Sequence, residues 1–184
     1  MTKIKRYSYR DVECAVNDII RQINTSVWRP DYVVGITRGG LTPAILISQY
    51  LDIPMHTLKV SLRNHIDTES NCWMAEEAFG CVPEEERQKY SSRWDPSKRR
   101  KILIVDDIND SGATFDWIMT DWQKNCFPKE DKVWDTVWGE NVRFASLVEN
   151  TTTDCESDYT AESINKDEDN IWCQFPWENW WMDA

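Results

Sequence analysis

Two adjacent carboxylates, Asp106 and Asp107, end a run of apolar β-formers, Ile102-Leu-Ile-Val105. Within three residues the chain turns through Asp110-Ser-Gly-Ala-Thr114 into a helical pattern. Each part has a chemical use. Successive N–H groups in a Ser-Gly-x-Thr turn converge on an anion, and the dipole of the helix that follows adds partial positive charge there. The Ser111 and Thr114 hydroxyls donate further hydrogen bonds to phosphate oxygens. Ionised Asp106 and Asp107 are acceptors only, which suits paired hydroxyls such as a ribose diol. An isolated Asp-Asp is more often a strand end followed by a helix cap. The apolar run in front and the phosphate-type turn behind favour chemistry.

Upstream stands a second such segment, Val33-Val-Gly-Ile-Thr-Arg-Gly-Gly-Leu-Thr-Pro43. Gly39 and Gly40 let the backbone approach a polyphosphate, and Arg38 supplies a fixed cation. The chain has six glycines in all, and Gly39, Gly40 and Gly112 fall in these two loops.

The elements that position these loops are legible from periodicity. Val12, Val16, Ile19, Ile20 and Ile23 predict an amphipathic helix over Arg10 to Thr25. Asp31 to Thr37 reads as a buried strand, Leu41 to Leu51 as a helix with Pro43 in its first turn, and Met55 to Ser61 as a strand. Residues 62–100 lose periodicity and are read as a lid or flexible loop, with a short helix over Glu84 to Tyr90. Ile102 to Val105 predicts a parallel strand covered on both faces. A helix runs from Gly112 to about Asn125, and Asn141 to Val148 is a further strand. Ile171-Trp-Cys is a short strand in a tail, residues 150–184, that is otherwise less regular. Alternating helices and strands describe a single α/β domain with a mainly parallel sheet, and ligands in such sheets bind beyond the carboxyl ends of strands.

Composition narrows the class. At 184 residues and 41% apolar, the chain is one domain with a real core. No apolar run approaches the ~20 residues needed to span a bilayer, and no apolar segment follows the basic start, so a cytoplasmic location is expected. The net charge is −11, and the last 36 residues hold ten Asp or Glu against one Lys, Lys166. Such a surface repels nucleic acid and anionic lipid, so any phosphate site must be built locally. The six cysteines (14, 72, 81, 126, 155, 173) contain no C-x-x-C pair and are read as reduced thiols. Of the two histidines, His56 alternates within a strand and is read as structural, whereas His65 opens the lid.

Ile102 to Thr114 resembles the signature of the type I phosphoribosyltransferases at nearly every position. Val33 to Pro43 is similar to that family's pyrophosphate loop. Ile171-Trp-Cys-Gln-Phe-Pro-Trp177 resembles the closing segment of its xanthine-guanine and hypoxanthine-type members. The likeness implies a phosphoribosyltransferase fold with a C-terminal hood over the base. It also implies transfer of the phosphoribosyl group of 5-phosphoribosyl-1-pyrophosphate (PRPP) to a nucleobase, a 6-oxopurine first, in purine salvage. PRPP would be bound by Arg38, Gly39, Gly40, Asp106, Asp107, Asp110, Ser111, Gly112, Ala113 and Thr114. Mg²⁺ is the implied cofactor, with Asp107 near it directly or through water.

In the same likeness Asp110 is the proton acceptor, with Asp106 and Asp107 holding the ribose beside the developing cation. Trp172 would cover the base and Cys173 contact its edge. Purine enzymes of this kind carry a lysine where this chain has Glu149-Asn150, and Asn150 is the donor expected to face the base in its place. Arg63, Arg87, Lys89 and Arg93 are the lid cations that would close over pyrophosphate. The implied partners are PRPP and a free base, with a homodimer or higher homo-oligomer. The rival from another class is a PRPP-binding regulator of the same fold that performs no transfer.

Overall fold

The computed structural model describes residues 2–62, 67–89, 92–129, 131–178 and 180–182. Strand β1 (Lys3–Arg6) and helix α1 (Tyr9–Thr25) open the chain. They are followed by β2 (Tyr32–Thr37), α2 (Leu41–Leu51), β3 (Met55–Ser61), β4 (Asp67–Thr68) and α3 (Cys72–Phe79). After two 3₁₀ turns come β5 (Ile102–Asn109), α4 (Ala113–Asn125), the single turn α5 (Asp131–Trp134), β6 (Val142–Asn150), β7 (Tyr159–Ile164) and β8 (Ile171–Gln174). Six strands form one sheet in the order β4-β3-β2-β5-β6-β7, parallel throughout except for the β3–β4 edge pair. Strands β1 and β8 pair in parallel as a separate small sheet.

Side chains alternate across each strand, so the central strands feed two cores. On one face Val34, Ile36, Ile102, Ile104 and Phe144 pack with Phe115, Ile118 and Trp122 of α4 and with Met74 and Ala78 of α3. On the other, Val33, Leu103, Val105 and Leu147 pack against the buried stripe of α1 and against Ala44 and Ile47 of α2. Ser8 caps α1 reciprocally: its hydroxyl accepts from the Asp11 N–H at 3.2 Å, and the Asp11 carboxylate accepts from the Ser8 N–H at 2.8 Å.

The crossover through α2 lies on one face of the sheet and the one through α4 on the other. The chain therefore leaves β2 and its neighbour β5 in opposite directions, which opens a crevice at the carboxyl ends of these two strands. Both loops singled out by their chemistry begin there.

Most predicted elements agree with the structure to within a few residues. Residues 62–100 differ. Rather than a structureless lid, the segment contains α3, whose Met74, Ala75, Ala78 and Phe79 are buried in the first core. Small residues and a cysteine make this apolar face inconspicuous in sequence. Cys72, at the start of α3, is disulfide-bonded to Cys126, just beyond α4, which corrects the reading of all six cysteines as reduced. The bond joins segments 54 residues apart, and nothing in the local sequence of either cysteine reports the other. Strands β1 and β7 were also not foreseen. Among the described residues no helix is long and apolar enough to cross a membrane.

Candidate functional site

The carboxyl ends of β2 and β5 open into a cavity of about 1120 Å³. Arg38 and Gly39 line it from the β2 loop, Asp106 to Thr114 from the end of β5 and its turn, and Lys166, Trp172, Cys173 and Trp177 from the tail. The fold therefore brings the two sequence loops and the tail segment, from Arg38 to Trp177, around one space.

Close packing fixes the β2 loop against β5. A methyl group at Gly39 would overlap the Asp107 carboxylate, and one at Gly40 would overlap the Val105 carbonyl. Glycine is required here because two backbones and a carboxylate meet, not for its freedom to adopt positive φ. The Thr37–Arg38 peptide is cis. Gly40 N–H donates to the Ile36 carbonyl at 3.0 Å, folding the chain tightly into α2.

At the end of β5 the two carboxylates are steadied by their own backbone. Asp106 Oδ1 accepts from the Asp107 N–H at 3.0 Å, and Asp107 Oδ1 accepts from the Ile108 N–H at 2.9 Å. The next residue, Asn109, is buried and points backwards. Its amide donates to Glu149 Oε2 at 3.0 Å and to the Cys155 carbonyl at 2.7 Å. Gly112 has φ +81°, and an added side chain there would strike Thr153 and Cys155. The phosphate-type turn is thereby clamped onto the β6–β7 loop. It presents the first N–H groups of the 13-residue α4, which have no intrahelical acceptor, to the cavity.

The wall formed by the tail is built on the N-terminal strand. Pairing of β1 with β8 sets Ile4 opposite Trp172 and Lys5 opposite Cys173. Behind it Tyr7, Phe175 and Trp177 stack in a column, with successive centroids 5.0 Å apart. Trp172 is half exposed and lines the cavity. Burial pushes the Cys173 thiol up from its ordinary value, so it stays protonated at neutral pH. Tyr7 lies beside it, its hydroxyl donating to Glu162 Oε2 at 3.0 Å.

Asn150 is where the structure departs from expectation. It is buried and does not line the cavity: its Nδ2 donates to the Asp110 carbonyl at 3.0 Å, and its Oδ1 accepts from the Lys166 N–H at 3.1 Å. With the amide committed at both ends, its role is to hold two loops together. The neighbouring carboxylate of Glu149 is likewise occupied, by Asn109 and the Ser157 N–H.

The cation at this end of the cavity is Lys166, from the turn after β7, whose Nζ lies 2.7 Å from Asp110 Oδ2. Sequence reasoning did not single it out, although it is the single cation among the ten carboxylates of the last 36 residues. Lys59 of β3 also lines the cavity.

Of the expected lid cations, Arg87 donates to the Val82 carbonyl at 3.3 Å and Arg93 pairs with Glu76 at 2.7 Å. Neither lines the cavity. Arg63 and His65 lie outside the described residues. His56 packs edge-on between Tyr32 and Trp73, with centroids 5.0 Å away on each side.

The chain has similar counterparts among known proteins. The model of the phosphoribosyl transferase domain matches residues 7–180. A xanthine-guanine phosphoribosyltransferase of Cereibacter sphaeroides is 33% identical over 98 residues, which are 53% of this chain and 49% of that protein. The match thus spans about half the length of that relative. In fold, the chain is similar to a purine phosphoribosyltransferase of Pyrococcus horikoshii, with TM-score 0.62, 20% identity and coverage of 97% and 96% of the two chains. It is similar also to a xanthine-guanine-hypoxanthine phosphoribosyltransferase of Helicobacter pylori, with TM-score 0.64, 19% identity and coverage of 98% and 97%.

Proposed function

The chain belongs to the phosphoribosyltransferase family, and on that premise we propose that it transfers the phosphoribosyl group of PRPP to a 6-oxopurine, releasing pyrophosphate. The observation that carries this reading is the convergence of Arg38-Gly39, the Asp106–Thr114 segment and Trp172 on one cavity at the β2/β5 crevice. A phosphate at the turn, a ribose diol at Asp106 and Asp107, and a pyrophosphate at Arg38, Gly39 and Gly40 follow the order in which these groups occur in PRPP. A flat base then lies towards Trp172 and Cys173.

Mg²⁺ fits this donor set. Asp106 and Asp107 offer the hard carboxylate oxygens that Mg²⁺ prefers. Among the described residues no group of three or more His, Cys, Asp or Glu is arranged to hold an ion without help. Asp107, with Asp106, would hold it together with substrate oxygens and water, and when bound it supplies positive charge to the leaving pyrophosphate.

The chain's own residues do the rest. Arg38 and the turn amides hold the two phosphate ends, fixing the ribose between them. As the bond from C1′ to pyrophosphate breaks, its electron pair leaves with pyrophosphate, and Asp106 and Asp107 place negative charge beside the cationic ribosyl centre. A ring nitrogen of the base supplies the pair for the new bond from the opposite face, inverting the anomeric carbon. Asp110, at the cavity wall between turn and base, accepts the proton that the base gives up. Purine salvage in the cytoplasm, by a homodimer or larger homo-oligomer, is the setting that accords with this chemistry.

The test is base-dependent release of pyrophosphate from PRPP and Mg²⁺, with Asp110→Asn as control. Release with a 6-oxopurine that falls at least tenfold in the variant is expected. Tight PRPP binding without release for any base would overturn the transferase reading in favour of a PRPP-binding regulator.

A further inference from the structure

We infer that the Cys72–Cys126 bond is a redox switch on the large cavity: reduction by a dithiol frees the β3–β4 wall and weakens PRPP binding there. The effect on PRPP rests on the proposed function, whereas the loosening of the wall does not.

The bond ties one wall of the cavity to the helix that carries another. The carboxyl end of β3 supplies Lys59, Val60, Ser61 and Leu62 to the lining. Strand β4 pairs with this end, setting Thr68 opposite Val60 and Asp67 opposite Ser61, and the Glu69 N–H donates to the Lys59 carbonyl at 2.8 Å. At two residues long and on the sheet edge, β4 is held only weakly by its own ladder. Cys72 follows shortly after it in the chain. Its partner Cys126 directly follows the last turn of α4, and the turn from Asp110 to Thr114 leads into the first turn of that same helix. One covalent link therefore holds the β3–β4 pair in place relative to the turn.

The segment between β4 and Cys72 is held from outside rather than by its own preferences. Asn71 has φ +47°, in the left-handed region, and its buried Nδ2 has no hydrogen-bond partner among the described residues. Both are costs, and opening the bond relieves them by letting Asn71 turn to ordinary backbone and its amide to water. The Ser70 carbonyl accepts from Trp122 Nε1 at 2.9 Å, which is then the remaining tie to α4 in this segment. Helix α3 keeps its buried face of Met74, Ala75, Ala78 and Phe79, so the release is local and the fold persists.

The chemistry has an accessible entry point. Cys72 is half-buried, whereas Cys126 is buried. A thiolate of the dithiol attacks Cys72 Sγ. The S–S bond breaks, and its electron pair leaves on Cys126 Sγ, which takes a proton. The second thiol of the reductant then displaces Cys72 from the mixed disulfide. The reductant ends as a disulfide and the protein as two thiols, a two-electron exchange that an oxidised dithiol reverses.

The test uses dithiothreitol as the dithiol, with wild type and a Cys72→Ser, Cys126→Ser double variant. Amide hydrogen exchange is followed over residues 59–62, 67–71 and 110–114, and PRPP affinity is measured by calorimetry with Mg²⁺. Reduction of wild type should speed exchange at 59–62 and 67–71 and weaken PRPP binding by roughly 5-fold or more, the lower end of typical coupling between sites. Reoxidation should restore both. The double variant should match reduced wild type and ignore dithiothreitol. If it fails to fold by circular dichroism, the reversible wild-type comparison decides alone.

Unchanged exchange on reduction would overturn the switch. So would faster exchange with unchanged PRPP affinity, because the bond would then serve the fold alone. If neither form binds PRPP, the proposed function fails and exchange at 110–114 decides: a reversible rise on reduction supports the switch, and no change overturns it.

Discussion

Asn150 joins Asp110 to Lys166 through a single amide, donating to the carbonyl of one and accepting from the N–H of the other. The two loops that it bridges leave different strands and carry the facing charges of the cavity wall. Because Asn150 is buried, truncation leaves the Asp110 carbonyl and the Lys166 N–H without their partner. Asn150→Ala should cost about 1–3 kcal/mol in urea unfolding, the penalty for unsatisfied buried groups. It should also raise the KM for the base more than that for PRPP. A variant with a normal base KM would show that the bridge supports the fold alone.

Gly39 and Asp107 give a prediction for the other half of the site. A methyl group at Gly39 overlaps the Asp107 carboxylate, so Gly39→Ala must displace either the carboxylate or the loop. Misplacement on the scale of 1 Å costs on the order of 100-fold where geometry is set for a ligand. PRPP affinity measured by calorimetry should fall by about that factor. Unchanged affinity would remove this loop from the PRPP site.

The Cys72–Cys126 bond ties α3 to the end of α4 and closes a 54-residue separation. Chain entropy alone sets an upper value of about 4 kcal/mol for a loop of this size. Reduction should lower the urea midpoint of wild type. A Cys72→Ser, Cys126→Ser double variant should start from the lowered midpoint and ignore reductant. Superimposable wild-type curves with and without reductant would show that the bond adds no stability.

Where the residues are contiguous, the lining of the cavity was legible in sequence. Asp106, Asp107 and the turn from Asp110 to Thr114 fall together on one cavity wall because a strand, a turn and a helix are local structures. Gly39 joins them because a parallel sheet puts strand ends side by side. The remainder depends on distant parts of the chain. Asn150 has a side chain suited to a base, but its buried place between two loops takes both ends of the amide, and nothing local reports that. Lys166 reaches the cavity only because β7 adds to the sheet beside β6, and β7, with its mixed polar composition (Tyr159-Thr-Ala-Glu-Ser-Ile164), does not read as a strand. Strand β1 escapes for a similar reason: it is four residues long, three of them basic, and it exists by pairing with β8 at the far end of the chain. Helix α3 hides its buried face among Cys, Met and Ala, so the segment reads as irregular.

Asp158 makes stability depend on pH with a definite sign. Burial raises its carboxyl above the ordinary value of 3.8, against the opposing effects of the Phe144 N–H, which it accepts at 2.8 Å, and of Arg143. The folded state therefore binds the proton more tightly than the unfolded state. The contribution is present at low pH and is lost as pH rises from about 4 through the folded value. Asp158→Asn keeps an acceptor for Phe144 and does not titrate. Its stability relative to wild type should increase between pH 4 and pH 7, as followed by thermal unfolding. A constant difference across that range would show that Asp158 has the same proton affinity folded and unfolded.

The most direct test of the central claim is a competition in one vessel. The protein is given PRPP, Mg²⁺ and equal amounts of guanine, xanthine, hypoxanthine and adenine, and the nucleoside monophosphates formed are identified by mass. The proposed transfer to a 6-oxopurine predicts that 6-oxopurine nucleotides accumulate, with adenine left in place. Accumulation of AMP as the main product, or of no nucleotide while PRPP remains bound, would contradict the account.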